Sequence, residues 1–146
     1  MLSAHFALDE MTVSQTAARL DLDNTPDEKQ TDNLRRLCAT LEQVRSVLGK
    51  PVTVSSGFRS PAVNQAVGGV PTSEHCDGRA ADIICPAYGN PYQVATAIAN
   101  AGVEFNQLMI EYGRWVHISV PPLGQGPKMM TLTYRKGKPT VRGLVA

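Results

Sequence analysis

Two histidines and one aspartate are the candidate ligands of a metal ion. His75 lies in a glycine-bearing segment, SEHCDG, and Asp82 follows seven positions later inside the apolar segment AADII. His117 lies in WVHISV, among apolar and β-branched residues. A buried carboxylate needs a partner, and two imidazoles with one carboxylate supply the three ligands of a catalytic zinc whose fourth position stays open. The sequence therefore predicts one zinc ion held by these three residues.

Each of these residues also has an ordinary structural explanation when it is taken alone. Asp82 could form an ion pair with Arg79 or Arg59, because buried acids need a counter-charge. His117 could be a histidine of the core. It is the combination of the three that favours a metal site.

The cysteines are expected to be reduced thiols outside this site. Cys76 adjoins His75, but adjacent residues rarely face one ion together. The chain has three cysteines, an odd number, and none lies in the CxxC spacing of a structural zinc site or redox pair. Cys38 and Cys85 are predicted to be packing residues.

Glu111 is the candidate general base, and its role depends on the turn that follows it. A three-residue loop, Tyr112–Arg114, would pair Glu111 with Trp115 and place it on the same face as His117. A two-residue turn would place Glu111 on the opposite face. In the first geometry Glu111 could accept a proton from metal-activated water and later deliver one to the leaving amine.

Three further residues are candidates for substrate binding. Arg59 could bind a substrate carboxylate or stabilise the oxyanion of the tetrahedral intermediate, or it could be a surface arginine. Ser73 could hydrogen-bond the substrate or order the loop ahead of His75. Trp115 could line the substrate cleft or pack in the core.

Helices and strands that would position these residues follow from the spacing of apolar side chains. A long amphipathic helix is predicted from Thr31 until Gly49 ends it, and a second one over Pro91–Ala101. Strands are predicted at Val52–Ser56, at Ala80–Ile84 and on both sides of the Tyr112–Arg114 loop within Gln107–Val120. Short helices are expected at Ser14–Leu20 and Pro61–Ala66. A closing hairpin is expected from TLTY, a Lys-Gly-Lys turn and PTV.

Composition narrows the range of functions. A length of 146 residues fits one domain, 1–146, and 14 Lys and Arg against 13 Asp and Glu give no basic stripe that would argue for a nucleic-acid partner. The N-terminus lacks the pattern of a signal peptide, and no segment reaches the roughly 18 apolar residues of a membrane span. We therefore expect a monomer made in the cytoplasm.

At these residues the chain resembles the D-alanyl-D-alanine metallocarboxypeptidase family of peptidoglycan peptidases, which also contains phage L-alanyl-D-glutamate endopeptidases. The segment SSGFRSPAVNQAVGG is similar to the family's Ser-Gly-Tyr-Arg segment, with Phe58 in place of the tyrosine. The leader HFALDEMTVSQTAARLDLDNTP is similar to that of compact members. The family's Ser-x-His-x-x-Gly-x-Ala-x-Asp and Trp-x-His patterns are filled by Ser73, His75, Gly78, Ala80, Asp82, Trp115 and His117.

The resemblance implies an α+β fold with helices packed on one side of a small antiparallel sheet and a zinc cleft across the sheet. It also implies zinc ligation by His75, Asp82 and His117, an active-site arginine at Arg59, and an acid near the last histidine. Several relatives place that acid three residues before the histidine, where this chain has Arg114. Glu111 is therefore the predicted base.

The sequence thus predicts zinc-dependent hydrolysis of a peptide bond in peptidoglycan stem peptides. The enzyme would be a D-Ala-D-Ala carboxypeptidase or an endolysin-type endopeptidase, acting on the cell wall after release or as a phage or prophage product. The alternative is a non-catalytic zinc-containing module of the same fold that binds the wall or a protein partner. A third hypothesis is a structural domain in which these His and Asp residues are ordinary residues of the core.

Overall fold

Five α-helices and one six-stranded sheet make up the fold, and the computed structural model describes all residues 1–146. A short 3₁₀ helix, Glu74–Asp77, precedes the second strand. The helices are α1 Leu8–Thr12, α2 Gln15–Leu20, α3 Glu28–Leu48, α4 Pro61–Ala66 and α5 Pro91–Asn100. The strands are β1 Thr53–Ser56, β2 Ala80–Ile84, β3 Gln107–Glu111, β4 Trp115–Ser119, β5 Met130–Tyr134 and β6 Val141–Arg142. This is the predicted α+β class.

The sheet has the strand order β1-β2-β4-β3-β5-β6. Every neighbouring pair is antiparallel except β3 and β5, which are parallel. That exception arises because β4 runs back along β3, and the connection after β4 then returns the chain to the start of β3. The predicted antiparallel sheet is therefore confirmed, with one parallel pair near its edge.

Helix α3 is the longest element and forms much of the core. Its N-terminus is capped by Asp27, whose side chain accepts from the backbone N–H of Gln30, while the Gln30 side chain accepts from the N–H of Asp27. This reciprocal cap starts the helix at Glu28, three residues before the predicted Thr31. Gly49 ends the helix in a left-handed conformation, as predicted.

The two faces of the sheet have different roles because side chains alternate along each strand. One face carries apolar residues that join the buried residues of α3 and α5 in a single core, among them Ala81, Ile83, Leu108, Ile110, Val116 and Ile118. The alternate positions on the same strands are Asp82, Glu111 and His117, which line a cleft on the other face. Helices on one side and a cleft on the other match the prediction.

Short helices flank the cleft. The predicted helices α2 and α4 are present, with Ser14 capping the first through the N–H of Ala17. Helix α1 was not predicted, because five residues are too few to show a helical period. None of the five helices combines the length and the apolar character needed to cross a bilayer.

All three cysteines are free thiols. Cys38 and Cys85 are buried in the core, and Cys76 is half-buried. Burial raises the pKa of the Cys38 thiol to about 12. Cys38 and Cys85 thus have the predicted packing role.

Candidate metal centre

Strands β2 and β4 bring Asp82 and His117 together. The two residues are direct partners in the antiparallel register, so their side chains leave the sheet side by side on one face. Oδ1 of Asp82 lies 3.2 Å from Nδ1 of His117. Both residues are buried, at 9% and 7% exposure.

His75 reaches the same point from the 3₁₀ helix. Its Nδ1 lies 2.7 Å from the carbonyl oxygen of Gly57, which can only accept, so Nδ1 carries the proton. Its Nε2 therefore points its lone pair at the cleft, 3.2 Å from Oδ1 of Asp82. Gly57 is required at this position because a Cβ would collide with the carbonyl oxygen of Met11.

The end of the 3₁₀ helix also depends on a glycine. Gly78 has a φ of +76°, and a Cβ there would lie 2.5 Å from the carbonyl oxygen of Gln30. Gln30 in turn donates from Nε2 to the carbonyl oxygen of Cys76, over 3.2 Å. The glycine thus lets the loop turn into β2 directly against helix α3.

The three candidate ligands form one cluster that suits a metal. One ligand atom from each of His75, Asp82 and His117 lies within 4.8 Å of the other two. The two imidazole rings meet edge to face with centroids 5.1 Å apart. Two nitrogens and one carboxylate oxygen form a donor set that zinc accepts while keeping a position open to solvent.

The loop between β3 and β4 has the length that places Glu111 on the cleft face. Glu111 pairs with Trp115 across a three-residue loop, Tyr112–Arg114, as predicted. Oε1 of Glu111 lies 3.6 Å from Nδ1 of His117. Burial and the negative charge of Asp82 raise the pKa of Glu111 above its ordinary value. A carboxylate of raised basicity thus stands beside the cluster.

Glu74 is a residue of the site that the sequence analysis did not identify. Its Oε1 lies 3.3 Å from Nε2 of His117, on the side of the ring away from Asp82. Despite burial, which raises it, the hydrogen bonds from His117 and Asn106 lower the pKa of Glu74 to about 2. The available signal was an acid inside the Ser-x-His pattern, directly before His75.

The charges of the cluster depend on one another. Burial opposes ionisation of Asp82, but the hydrogen bond from His117 holds the pKa of its carboxyl well below the usual range. Burial likewise lowers the pKa of His117, yet its hydrogen bonds to Asp82 and Glu74 raise it to about 9. Without a metal, the raised pKa favours the imidazolium form of His117, with a proton on both ring nitrogens, at neutral pH.

Arg59 lines the cleft, and its side chain is available to bind a ligand. Its backbone N–H donates to the carbonyl oxygen of His75, over 3.1 Å, which ties its loop to the cluster. Its Nε is buried and has no hydrogen-bond partner. Arg59 forms no ion pair with Asp82, and Arg79 pairs with Glu74 and Asp77 instead, so neither arginine explains the buried aspartate.

The remaining predicted residues also lie on the cleft, which encloses about 1170 Å³. Ser73 orders the loop ahead of His75, because its hydroxyl accepts from the N–H of His75 over 3.2 Å. Trp115 is half-buried, and its indole Nε1 has no hydrogen-bond partner. Arg114, at the position where several relatives have an acid, is exposed in the loop.

An α+β fold with two imidazoles and a carboxylate clustered on one sheet face, next to a second carboxylate, is the arrangement expected of a metal-dependent hydrolase. The chain belongs to the M15 peptidase family, since the family model described as Peptidase M15 matches residues 4–119. This family consists of zinc-dependent peptidases. A comparison with curated proteins finds no match to the chain.

Proposed function

We propose that this protein is a zinc peptidase that hydrolyses a peptide bond in peptidoglycan stem peptides. One zinc ion would be held by Nε2 of His75, Oδ1 of Asp82 and Nδ1 of His117. The observation that carries the proposal is the approach of these ligand atoms to within 4.8 Å of one another, with Glu111 beside them. Zinc, when bound, would lower the pKa of a water molecule towards 7 and polarise the scissile carbonyl.

Glu111 is the general base of the proposed reaction. Its carboxylate stands next to the ligand atom of His117 and faces the cleft. A carboxylate with a raised pKa accepts a proton from the attacking water more readily and can pass it to the leaving amine. Glu111 would therefore serve first as base and then as acid, without a covalent intermediate.

Arg59 would supply the positive charge that the substrate requires. Its buried and unpaired Nε leaves the guanidinium able to bind a substrate carboxylate or the oxyanion of the tetrahedral intermediate. Trp115 would contribute apolar surface to the substrate site. Ser73 would contact the substrate only in addition to its observed bond with the backbone of His75.

The substrate class rests on the family to which the chain belongs, and the cleft is consistent with it. A volume of about 1170 Å³ exceeds what a dipeptide needs, so substrate residues could extend on both sides of the scissile bond. Both a carboxypeptidase and an endopeptidase therefore remain within the proposal. We further propose one catalytic domain, acting as a monomer on the wall after release from the cytoplasm or as a phage or prophage product.

The experiment incubates the zinc-loaded protein with purified peptidoglycan and with a defined pentapeptide ending in D-Ala-D-Ala, and identifies the products by mass spectrometry. A chelator-treated sample is the control. Chelator-sensitive release of D-alanine would establish a carboxypeptidase, and internal fragments an endopeptidase. Absence of any product, with one zinc bound, would replace the proposal by a binding module of the same fold.

A further inference from the structure

Glu74 contacts the ring nitrogen of His117 that does not face the metal cluster. On one side of the imidazole, Nδ1 lies 3.2 Å from Asp82 and 3.6 Å from Glu111. On the other side, Nε2 lies 3.3 Å from Oε1 of Glu74. The ring is therefore held between acids at both nitrogens, and only the Nδ1 side opens on the other two ligand atoms.

The carboxylate of Glu74 is fixed in this orientation by its second oxygen. Oε2 accepts from Nδ2 of Asn106 over 2.9 Å and from Nη1 of Arg79 over 3.2 Å. Nη1 of Arg79 also donates to the carbonyl oxygen of Val120 over 2.9 Å, which anchors the arginine at the end of β4. With Oε2 used in this way, Oε1 remains for His117. The side chain of Glu74 is only 14% exposed, so little water can compete for the hydrogen bonds of its carboxylate.

We infer that Glu74 is a positioning residue for His117, an inference that rests on the proposed metal site. A carboxylate can only accept, so its bond to Nε2 requires the proton of the neutral imidazole to lie there. The lone pair of Nδ1 is then directed at the cleft, where the metal would be bound. A carboxylate behind a ligating histidine also makes the ring a better donor and holds it in the correct plane.

The test compares the zinc affinity of the wild type with that of two variants, Glu74→Ala and Glu74→Gln, by competition with a chelator at one pH. Loss of such a carboxylate typically costs about tenfold to a hundredfold in metal affinity. We expect a loss of that size in Glu74→Ala. A smaller loss is expected in Glu74→Gln, because the amide oxygen can still accept from Nε2.

Asp77→Asn is the matched control. Asp77 belongs to the same 3₁₀ helix and also binds Arg79, at 3.0 Å, but it is 56% exposed and does not contact His117. Its substitution should leave zinc affinity unchanged. If Asp77→Asn lowered the affinity as much as Glu74→Ala, the effect would come from Arg79 and the loop, and the inference would be overturned.

A second measurement observes the ring proton of His117 directly and does not depend on enzymatic activity. In the zinc-loaded wild type, the Nε2 proton of His117 should be visible in proton NMR, since the bond to Glu74 slows its exchange with water. The signal should exchange faster or disappear in Glu74→Ala, and remain in Glu74→Gln. Equal exchange in wild type and Glu74→Ala would overturn the inference.

Failure of the inference and failure of the metal site give different results. Tight zinc binding by the wild type that is unchanged in both Glu74 variants overturns only the role of Glu74. Absence of zinc binding by the wild type overturns the metal site and with it the positioning role. If Glu74→Ala does not fold, Glu74→Gln and the wild-type proton signal still decide the question.

Discussion

Oε1 of Glu111 and Nδ1 of His117 lie 3.6 Å apart on one face of the β3–β4 hairpin. The distance follows from the register, in which Glu111 pairs with Trp115 and Met109 pairs with His117. Because side chains alternate along a strand, Glu111 and His117 then share a face. The hairpin thus places the candidate ligand His117 and the candidate base Glu111 next to each other in the cleft.

Replacing Glu111 by Gln should abolish cleavage while zinc stays bound. The amide keeps the size of the side chain but cannot accept a proton, and general-base catalysis is worth about 10²- to 10⁴-fold in rate. Turnover of a defined stem peptide, together with the zinc content of the same sample, measures both effects. Glu104→Gln is the control, because Glu104 is exposed just before β3. Undiminished turnover in Glu111→Gln would remove Glu111 from the mechanism.

Zinc should stabilise the wild type but not the Asp82→Asn variant. A ligand that binds only the folded state adds about 4 kcal/mol to the free energy of unfolding at a thousandfold excess over its Kd. Asp82→Asn removes the charged ligand from the cluster, so the increase in Tm on zinc addition should be lost. Asp32→Asn, an exposed acid of α3, serves as the control. An equal zinc-induced shift in Asp82→Asn would exclude Asp82 as a ligand.

Zinc binding should release a proton at neutral pH. The raised pKa of His117, about 9, means that the metal must displace a proton from Nδ1. Apparent zinc affinity should therefore rise with pH, by about tenfold per unit at most for one proton, and level off near pH 9. Calorimetric titrations in two buffers of different ionisation enthalpy count the proton, and identical heats in both buffers would contradict the prediction.

The metal-free protein should show the opposite pH trend in stability. Folding raises the pKa of His117 from its ordinary value of 6.5 to about 9, so its contribution to stability is fully present below pH 6.5 and is lost as pH rises towards 9. Denaturant unfolding of the chelator-treated protein at several pH values measures this trend. His117→Gln should flatten it over the same range. A stability that stays level between pH 6.5 and 9 in the wild type would be inconsistent with a protonated His117.

Replacing Arg59 by Ala should lower kcat/KM and leave zinc affinity unchanged. The loss expected for one donor to a substrate carboxylate or an oxyanion is about 10²- to 10³-fold. Arg114→Ala is the matched control, because Arg114 is exposed in the β3–β4 loop. Arg59→Lys should recover only part of the activity, since an ammonium cannot form the paired bonds of a guanidinium. Full activity in Arg59→Ala would place the arginine outside the substrate site.

Acid should weaken the attachment of the N-terminal segment to α3. Burial raises the pKa of Glu42, but hydrogen bonds from Ser3 and His5 lower it to about 2. A carboxyl group whose pKa is lowered by folding contributes stability that is present above its ordinary value of 4.5 and is lost as pH falls towards 2. The side chain is 23% exposed, so solvent screening limits the effect to about 1 kcal/mol. Glu42→Gln should reduce the acid dependence of unfolding between these pH values, and an unchanged dependence would contradict the prediction.

The sequence by itself determined most of the secondary structure and the identity of the clustered residues. The apolar period of α3, the caps at Ser14 and Gly49 and the short runs of strands are local patterns, and the structure contains the corresponding elements. His75 was recognisable by its place seven positions before Asp82, and Asp82 and His117 because each is a polar group in an apolar segment that must be buried. Such a group calls for a partner even before the fold is known.

Only the tertiary structure decided which face Glu111 occupies and what Glu74 does. Spacing allowed a two-residue or a three-residue turn after Glu111, and these place its side chain on opposite faces. Glu74 follows no periodic pattern, and its contacts with His117 and Asn106 join segments 43 and 32 positions apart. Local propensity cannot encode such contacts, because they form only when the sheet register and the 3₁₀ helix bring distant segments together.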